Sequence, residues 1–401
     1  RGDQGVTVEP EQWARLRKRG EQAFQRLATE VTVGGERFAL AHAGRMGDRV
    51  RFGIFPRDLL ITGLIGNEVN FLHESVRFCA ATIGRQRDPR TGEEPGRVLH
   101  EFDPYNQDGL STRYNACETS HLFLIGGARC LAAGFDLRAI GDELRAAGEY
   151  VLRHIEDDLF WEDPRRAGAE RYLLRATYWK DSFLPGRREL RFPVAYALVQ
   201  AQTVAALRAL GRLSQALDLG FDPGALAARA RAVVAALWDR LWDPNADYLA
   251  LAWDGGELVP GVSSDGLHLL AYLRPEDVPP AKLDSIRRRA SELATPYGFR
   301  TYAPGQPDYS PTGYHQGAIW PYEQWFIAQG AVVHGLVDVL SVAERVLAAL
   351  EALGFVELFY WQDELRGPGV VPGEGCDLQL WSTVVPEGFV RLRNGGEGGA
   401  L

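Results

Sequence analysis

Four segments of the sequence gather aromatic side chains, and three of them place carboxylates beside the aromatic residues. They are 55–58 (FPRD), 178–182 (YWKDS), 314–321 (YHQGAIWP) and 356–382, which contains Glu357 and Glu374 and ends in Trp381-Ser382. Aromatic rings pack against the apolar faces of sugars, and fixed polar groups hold sugar hydroxyls. Cleavage of a glycosidic bond also needs two carboxyl groups, one protonated and one ionised. The segments together favour a carbohydrate-active site.

Asp181 is the first candidate for the protonated carboxyl group, because Tyr178, Trp179 and Phe183 surround it in the sequence. Aromatic neighbours exclude water and thereby raise the pKa of a carboxyl group, which suits a general acid. Lys180 would have the opposite effect, but adjacent residues of an extended segment point to opposite sides. The alternative is that Asp181 caps the next helix, as aspartate often does.

Glu357 and Asp58 are the other carboxylates of interest. Glu357 lies in the apolar stretch GFVELFYW, where an unpaired carboxylate is costly to bury. It is therefore either functional or held in an ion pair with an arginine. Asp58 follows Arg57 and precedes the apolar run LLITGLIG. It either accepts hydrogen bonds from sugar hydroxyls or caps that helix.

Two tryptophans and a histidine of these segments have structural alternatives as well. Trp179 and Trp320 either face a ligand or belong to the core, where tryptophan is highly buried on average. His315 stands at a predicted helix start, where it either contacts substrate or has a structural role. The pattern alone does not decide between these roles.

Composition narrows the class of protein. The net charge of -9 and pI near 5.5 disfavour a nucleic-acid partner, which needs a clustered basic face. No stretch approaches 18 apolar residues, and the first residues, RGDQGVTVEPEQW, form no apolar signal, so no membrane partner is expected. A small-molecule substrate remains the expected partner, and the oligomeric state, a homo-oligomer included, stays open.

The cysteines indicate a reducing, cytoplasmic compartment. There are four of them, Cys79, Cys117, Cys130 and Cys376, without a CxxC pair. Cys79 and Cys130 lie in apolar helical stretches and are predicted to be buried thiols. No Cys/His spacing fits a zinc site, and no metal is expected.

Helical periodicity covers most of the chain. Helices are predicted over 11–30, 56–81, 116–134, 138–160, 191–215, 222–241, 262–273, 279–294, 315–335, 337–353 and 377–392. Amphipathic helices such as 222–241 alternate with nearly all-apolar ones such as 116–134, in roughly six pairs. This alternation predicts an all-α fold, a single-domain (α/α)6 barrel over residues 1–401, with a frayed tail from about residue 393.

The loops before the apolar helices are long and rich in polar and aromatic residues. They cover 102–115, 171–186, 295–315 and 361–377. Loops of this length are uncommon in compact domains and are usually functional. In a barrel they would gather at one mouth, and their tyrosines Tyr105, Tyr114, Tyr302 and Tyr309 could close over a small substrate.

Taken together, the four segments resemble bacterial members of glycoside hydrolase family 63. The resemblance runs from about residue 50 to 390, and its most specific elements are Trp179-Lys180-Asp181-Ser182 and Glu357 with the Gly-rich turn to Trp381-Ser382. The short chain without an extra β-domain is similar to the branch of mannosylglycerate hydrolase and glucosylglycerate hydrolase. The resemblance implies an (α/α)6 barrel and an inverting, exo-acting α-glycosidase that releases free sugar and glycerate without a metal or organic cofactor.

Site residues follow from the same resemblance. It implies that Asp181 is the general acid, Glu357 the general base, and that Asp58 holds the sugar. Glu374 is the competing candidate for the base, and we favour Glu357. The residues expected to bind substrate are Phe55, Arg57, Asp58, His100, Tyr105, Gln107, Tyr114, Trp179, Lys180, Tyr314, His315, Trp320, Glu374, Gln379 and Trp381. The candidates to bind the glycerate carboxylate are Arg57, Arg113, Lys180, His100 and His315.

The sequence departs from the family pattern at three places. Phe55 and His315 stand where relatives often carry Trp, and the segment 115–119 (NACET) stands where Asp-Ala-Thr is common. These departures leave open whether the substrate carries a mannosyl or a glucosyl group.

Two other classes of function fit parts of the sequence. A sugar isomerase or epimerase of the same barrel fold would use histidine pairs, but the eight histidines do not cluster with the aromatic loops. A non-catalytic carbohydrate-binding toroid is compatible with the fold alone. Asp181 and Glu357 facing one pocket would favour the hydrolase, whereas either carboxylate in a buried arginine pair would favour the binding protein.

Overall fold

The computed structural model describes residues 10–66, 68–182, 184–187, 189–369, 375–395 and 400–401. Helices dominate these residues, so the prediction of a mainly helical chain is confirmed in its coarse form. The helices are α1 Pro10–Gln25, α2 Pro56–Gly66, α3 Val69–Ala81, α4 Thr119–Ala132, α5 Gly141–Arg153, α6 Ala197–Leu217, α7 Pro223–Arg240, α8 Asp265–His268, α9 Pro280–Arg289, α10 Pro321–His334, α11 Val337–Ala343, α12 Val346–Leu353, α13 Leu380–Thr383 and α14 Val385–Arg393. Single 3-10 turns cover Arg138–Ile140, Pro164–Ala167, Leu269–Tyr272, Pro275–Asp277 and Ala290–Glu292.

Small antiparallel sheets connect the helices, and the sequence pattern predicted none of them. The strands are β1 Ala28–Val33, β2 Glu36–Ala41, β3 Gly44–Met46, β4 Arg49–Phe52, β5 Asn106–Gln107, β6 Leu110–Ser111, β7 Ile155–Glu156, β8 Leu159–Phe160, β9 Val194–Tyr196, β10 Trp242–Asp243, β11 Tyr248–Leu249, β12 Ala252–Asp254, β13 Glu257–Val259, β14 Ala294–Thr295, β15 Gly298–Phe299, β16 Tyr360–Trp361, β17 Leu365–Arg366 and β18 Leu378–Gln379. In the described residues, two of the sheets have three strands, β13-β12-β9 and β18-β3-β4, and the others are two-stranded.

Six helical segments contact one another in a closed order. α2 contacts α4, α4 contacts α6, and α6 contacts α8. α8 contacts α10, α10 contacts α14, and α14 contacts α2, which closes the circle. α3, α5, α7, α11 and α1 each pack against a member of this circle. We call the six segments the inner helices.

The inner helices are apolar around most of their circumference because they are covered on all sides. Every residue of α2 is buried, and so is every residue of α10 from Pro321 to Ala331. Both helices start with proline in the first turn, where its missing N–H costs nothing. α5 and α7 instead keep an exposed polar face, as their amphipathic sequences predicted.

The predicted helix 56–81 is two helices. α2 ends at Gly66, and Glu68 before α3 has a non-helical backbone with ψ of 77°. The chain then folds back, so that Leu72 of α3 lies against Gly63 of α2, where a Cβ atom would come within 2.7 Å of the Leu72 Cβ. Apolar periodicity alone does not reveal the turn because both helices are largely apolar.

Other predicted helices end earlier or begin later than the pattern indicated. The helix predicted over 11–30 ends at Gln25, and residues 28–33 form β1, whose exposure alternates as in a half-buried strand. The helix predicted over 138–160 ends at Arg153, before the β7–β8 hairpin. Likewise β9 and β18 occupy the first residues of the helices predicted over 191–215 and 377–392.

Two further expectations concern cysteine and the membrane. The four cysteines are all free and buried, which confirms the prediction for Cys79 and Cys130. In the part of the chain that the structure describes, no helix has the length and apolar character needed to span a bilayer.

Candidate active site

A pocket of about 190 Å³ opens at the N-terminal ends of α2, α10 and α13. Its walls combine three carboxyl groups, one guanidinium group and a set of aromatic rings. The lining residues are Ala43, Phe52, Phe55, Arg57, Asp58, Trp179, Asp181, Tyr314, Trp320, Glu357, Gln379 and Trp381. Residues from distant parts of the sequence therefore face one another across this space.

Glu357 is held by the loops on both sides of the pocket. One carboxylate oxygen, Oε1, accepts a hydrogen bond from the Tyr314 hydroxyl, and Oε2 accepts one from the Cys376 backbone N–H at 2.7 Å. Burial raises the pKa of Glu357 to about 7, although these two hydrogen bonds act to lower it. The positive charge of Arg51 also acts on Glu357 and lowers this pKa, whereas Tyr314 and Cys376 donate the hydrogen bonds to Glu357.

Asp181 lies in an irregular segment, and the next helix, α6, begins only at Ala197. Asp181 is therefore not a helix cap. Its Oδ2 accepts a hydrogen bond from Arg57 Nη1 at 3.0 Å, and 26% of its side chain is exposed. Burial raises the pKa of Asp181 above its ordinary value, even though Arg57 acts to lower it.

Arg57 has a second carboxylate partner. Its Nε lies 2.7 Å from Oε1 of Glu118, the residue that precedes α4. Both side chains of this ion pair are buried. One guanidinium group thus lies between the carboxylates of Asp181 and Glu118.

Asp58, in the first turn of α2, is not the capping residue of that helix, which begins at Pro56. Its Oδ1 accepts a hydrogen bond from Gln379 Nε2 at 2.8 Å. Burial raises the pKa of Asp58 well above its ordinary value, and the nearby carboxylates of Glu357 and Asp181 raise it further. Three carboxyl groups in one pocket cannot all ionise at low cost.

One buried aspartate, Asp265 of α8, anchors the segment that carries Asp181. Its carboxylate accepts hydrogen bonds from the Tyr178 hydroxyl at 2.9 Å, Trp179 Nε1 at 3.1 Å and Lys180 Nζ at 2.8 Å. Lys180 is therefore paired with Asp265 inside the protein and is not among the residues that line the pocket. Sequence reasoning missed Asp265, whose one signal was a carboxylate at the start of an apolar helix.

Aromatic rings form one wall of the pocket. Trp320 donates its indole N–H to the Tyr314 carbonyl at 2.9 Å, and its ring meets those of Trp179 and Trp381 edge-on at 5.7 and 5.9 Å. Trp381 in turn stacks on Tyr322, with ring centroids 4.2 Å apart. This network fixes the ring planes before any ligand arrives.

Two histidines predicted at the site lie behind it. His100 Nδ1 is 3.0 Å from the Thr112 carbonyl, and its Nε2 is 3.9 Å from Asp181 Oδ2. Burial lowers the pKa of His100 to about 3, so its ring is neutral. His315 is buried, stacks on Trp320 and contacts the Ser182 hydroxyl through Nδ1 at 2.7 Å. Burial also lowers the pKa of His315 well below its ordinary value, so neither ring offers a positive charge to a carboxylate.

Four more residues predicted to bind substrate lie elsewhere, or outside the described residues. Tyr105 and Gln107 are exposed on the loop around β5, away from the pocket walls. Tyr114 is buried and donates to the Thr82 carbonyl at 3.0 Å. Glu374, the competing candidate for the base, lies outside the described residues.

Sequence reasoning missed two wall residues, Ala43 just before β3 and Phe52 at the end of β4, because long-range strand pairing brings them to the pocket. β18 pairs with β3, so that Gln379 lies opposite Gly44, and the Leu380 N–H donates to the Ala43 carbonyl at 2.8 Å. The Gly47 N–H also donates to Asp377 at 2.9 Å, across 330 residues of chain. No local signal in the sequence marks this long-range pairing.

The described site combines carboxyl groups, one guanidinium group and aromatic surface. Within the described ranges, no group of three or more histidine, cysteine, aspartate or glutamate side chains is arranged to hold a metal ion. The chemistry available to these residues is that of paired carboxyl groups with raised pKa values beside aromatic surface.

Comparisons with known proteins match this chain to glycoside hydrolases. The family model for the mannosylglycerate hydrolase MGH1-like glycoside hydrolase domain matches residues 132–367. A mannosylglycerate hydrolase of Rubrobacter radiotolerans is 28% identical over 215 residues, which cover 50% of this chain and 44% of that protein. The chain thus spans somewhat less than half the length of this curated relative.

Solved structures share the fold at low sequence identity. The mannosylglycerate hydrolase of family 63 from Thermus thermophilus, in complex with Tris and D-glycerate, superposes with a TM-score of 0.64 at 16% identity, covering 94% of this chain and 100% of that one. A rhamnosidase from Klebsiella oxytoca with rhamnose bound gives a TM-score of 0.60 at 15% identity, covering 97% and 65%.

Proposed function

Because the chain belongs to the family of mannosylglycerate hydrolase MGH1-like glycoside hydrolase domains, we propose that it hydrolyses a small α-glycoside of glycerate. The first candidate is 2-O-α-mannosylglycerate, the second glucosylglycerate, and the products are free sugar and glycerate. The relative from Rubrobacter radiotolerans is a mannosylglycerate hydrolase, and a structural neighbour binds D-glycerate, which supports this choice.

The fold supports the same proposal. We infer that the closed circle of inner helices, with the other helices packed around it, is an (α/α)6 barrel forming a single domain. The pocket then lies at the mouth of the barrel, where the N-terminal ends of α2, α10 and α13 and the long loops meet.

One observation carries the mechanism: Asp181 and Glu357 line one small pocket, each with a pKa raised by burial. Asp181 in its protonated form gives its proton to the glycosidic oxygen as the bond to the sugar breaks. Glu357 in its ionised form takes a proton from a water that attacks the opposite face of the sugar. Inversion needs room for that water, so carboxyl groups about 6.5–9.5 Å apart are expected.

Asp58 and the aromatic wall have binding roles in this proposal. Asp58 and Gln379, already hydrogen-bonded to each other, present polar atoms to the sugar hydroxyls. Trp320 and Trp381 present ring surface to the apolar face of the sugar. Of the cations first considered for the glycerate carboxylate, Lys180 binds Asp265 and Arg57 already holds two carboxylates.

The test is to incubate the purified protein with α-mannosylglycerate and with α-glucosylglycerate and to follow the anomeric protons by NMR. We expect the β-anomer of the free sugar to appear first, and the faster of the two reactions identifies the preferred sugar. Initial release of the α-anomer would contradict inversion, and no turnover of either compound would contradict the proposed substrates.

The alternative of a non-catalytic sugar-binding protein rests on the buried Arg57–Asp181 ion pair. An arginine that kept Asp181 permanently ionised would leave the pocket without a proton donor. Tight binding of either glycoside without turnover, measured by calorimetry, would favour this alternative.

Tyr314→Phe should move the acidic limb of the activity profile to higher pH. The Tyr314 hydroxyl stabilises ionised Glu357, so its removal raises the pKa of Glu357 above about 7. The base works only when it is ionised. In the variant, the increase of kcat/KM with pH should therefore have its midpoint at a higher pH than in the unchanged protein. The measurement is kcat/KM against pH for both proteins, and an unchanged acidic limb would show that Glu357 is not the base.

A further inference from the structure

Glu118 does not line the pocket, yet it is connected to Asp181 through one side chain. Arg57 Nε lies 2.7 Å from Glu118 Oε1, and Arg57 Nη1 lies 3.0 Å from Asp181 Oδ2. Side-chain exposure falls from 26% at Asp181 to 4% at Arg57 and 2% at Glu118. The three groups therefore form a row that runs from the pocket into the protein.

The row joins three separate parts of the fold. Arg57 belongs to the first turn of α2, Glu118 immediately precedes α4, and Asp181 lies in the loop before β9. The backbone ties the last two together, because the Cys117 N–H donates to the Thr177 carbonyl at 2.7 Å. The segments that carry Glu118 and Asp181 are thus hydrogen-bonded to each other, and both carboxylates contact the Arg57 guanidinium group.

A doubly paired arginine attracts each carboxylate less than a singly paired one would. An arginine with Asp181 as its sole partner would favour the ionised form of that carboxyl group strongly, which is the wrong form for a proton donor. A second carboxylate on the other side compensates the arginine charge. It also repels negative charge on Asp181.

We propose that Glu118 is a positioning residue for the reaction: it holds and neutralises Arg57 so that Asp181 can keep its proton until the glycosidic oxygen receives it. Arg57 then orients Asp181 through a hydrogen bond without fixing it as a permanent ion. This role rests on the proposed function, because it presumes that Asp181 is the acid.

Other charged and titratable groups near the row would stay in place when Glu118 is changed. Those that interact electrostatically with Arg57 or Asp181 from neighbouring elements are Asp58 on α2, His100 and Glu101 after α3, Cys117 before α4, Tyr314 and His315 before α10, and Tyr322 on α10. Glu357, before β16, acts on Asp58. His100 is neutral, and burial raises the pKa values of Glu101 and Glu118. Of the groups around Arg57, Glu118 is the carboxylate that contacts it without facing the pocket.

The experiment compares Glu118→Gln with the unchanged protein. The neutral amide no longer compensates the positive charge of Arg57. Asp181 is then the one charged partner that this proposal leaves to Arg57 in the row, and the pKa of Asp181 should fall. The basic limb of kcat/KM against pH should therefore move to lower pH, with about a tenfold loss of activity on the alkaline side and little loss on the acidic side. A role confined to stability would lower activity equally at every pH.

A leaving group that needs no proton gives the second readout. Hydrolysis of the α-glycosyl fluoride of the preferred sugar should proceed at nearly the same rate in Glu118→Gln and in the unchanged protein. Glu118→Asp keeps the charge at a shorter reach and should show a smaller shift of the basic limb. Thermal unfolding shows whether the Gln variant folds. If it does not fold, the shift of the basic limb is measured with Glu118→Asp instead.

The outcomes separate this inference from the proposed function. If the unchanged protein hydrolyses glycosides and neither Glu118 variant moves the basic limb, the role of Glu118 is wrong and the proposed function stands. If the unchanged protein hydrolyses no glycoside, the proposed function fails, and the role of Glu118 fails with it.

Discussion

Glu357→Gln should lower kcat on the preferred glycoside by about three orders of magnitude, within the range that general base catalysis contributes. The amide has nearly the same shape: its carbonyl oxygen can accept the hydrogen bond from the Cys376 N–H, and its NH2 group can donate to the Tyr314 hydroxyl oxygen. It cannot take a proton from water. The loss should therefore appear in kcat, measured by the release of sugar at saturating substrate, with a small change in KM.

Chemical rescue makes this prediction sharper. In Glu357→Ala the missing side chain leaves space for azide, a nucleophile that needs no base. Rate recovery with azide and formation of the β-glycosyl azide, identified by NMR, are the expected results. The matched control is Glu323→Gln on α10, a buried glutamate outside the pocket that accepts a hydrogen bond from Ser264 at 2.6 Å. A comparable loss in both Gln variants would show that Glu357 has no special role.

Asp181→Asn should abolish turnover of the natural type of substrate almost completely, by about two to four orders of magnitude. An alkoxide of glycerate is a poor leaving group, and the asparagine side chain has no acidic proton to give it. Arg57 also loses one of its two carboxylate partners, which adds a cost in stability. The measurement is kcat/KM for the glycoside and for the α-glycosyl fluoride of the same sugar.

The fluoride separates proton donation from folding. It should be hydrolysed by Asp181→Asn at a rate close to that of the unchanged protein, because fluoride leaves without a full proton transfer. Asp243→Asn serves as the control, since Asp243 is a buried aspartate of β10 whose side chain accepts from the Asn245 N–H at 2.8 Å. Equal losses on the glycoside and on the fluoride would contradict the role of Asp181 as the acid.

The sequence predicts the helical elements well where one physical signal dominates. α4, α6, α7 and α10 lie largely within the ranges expected from periodicity, because each is long and either strongly amphipathic or wholly apolar. The turn between α2 and α3 was missed because both helices bury most of their surface. The short hairpins were missed because two-residue strands such as β7 and β8 carry no periodicity of their own.

At the site, the residue types were more predictable than their partners. Ten of the residues expected at the site, among them Asp181 and Glu357, line the same pocket. Lys180 was a candidate for substrate binding, and only the fold reveals that Asp265 binds it, 85 residues away. Glu118 was visible in the segment 115–119, but nothing local indicates that Arg57 lies beside it. Tertiary packing brings together charged residues that lie far apart in the sequence. No short sequence motif indicates such pairs.

The pairing of β18 with β3 has a consequence for the synthesis of the chain. Ala43 and Phe52 come from one end of the sequence and Gln379 and Trp381 from near the other, and the pocket walls meet only when these strands pair. A ribosome releases β3 long before it has made β18. The nascent protein therefore holds an open, incomplete mouth while the helices between these strands emerge and pack. Asp181 and Glu357 acquire a complete pocket around them only after the late strand arrives, so the proposed activity cannot precede that pairing.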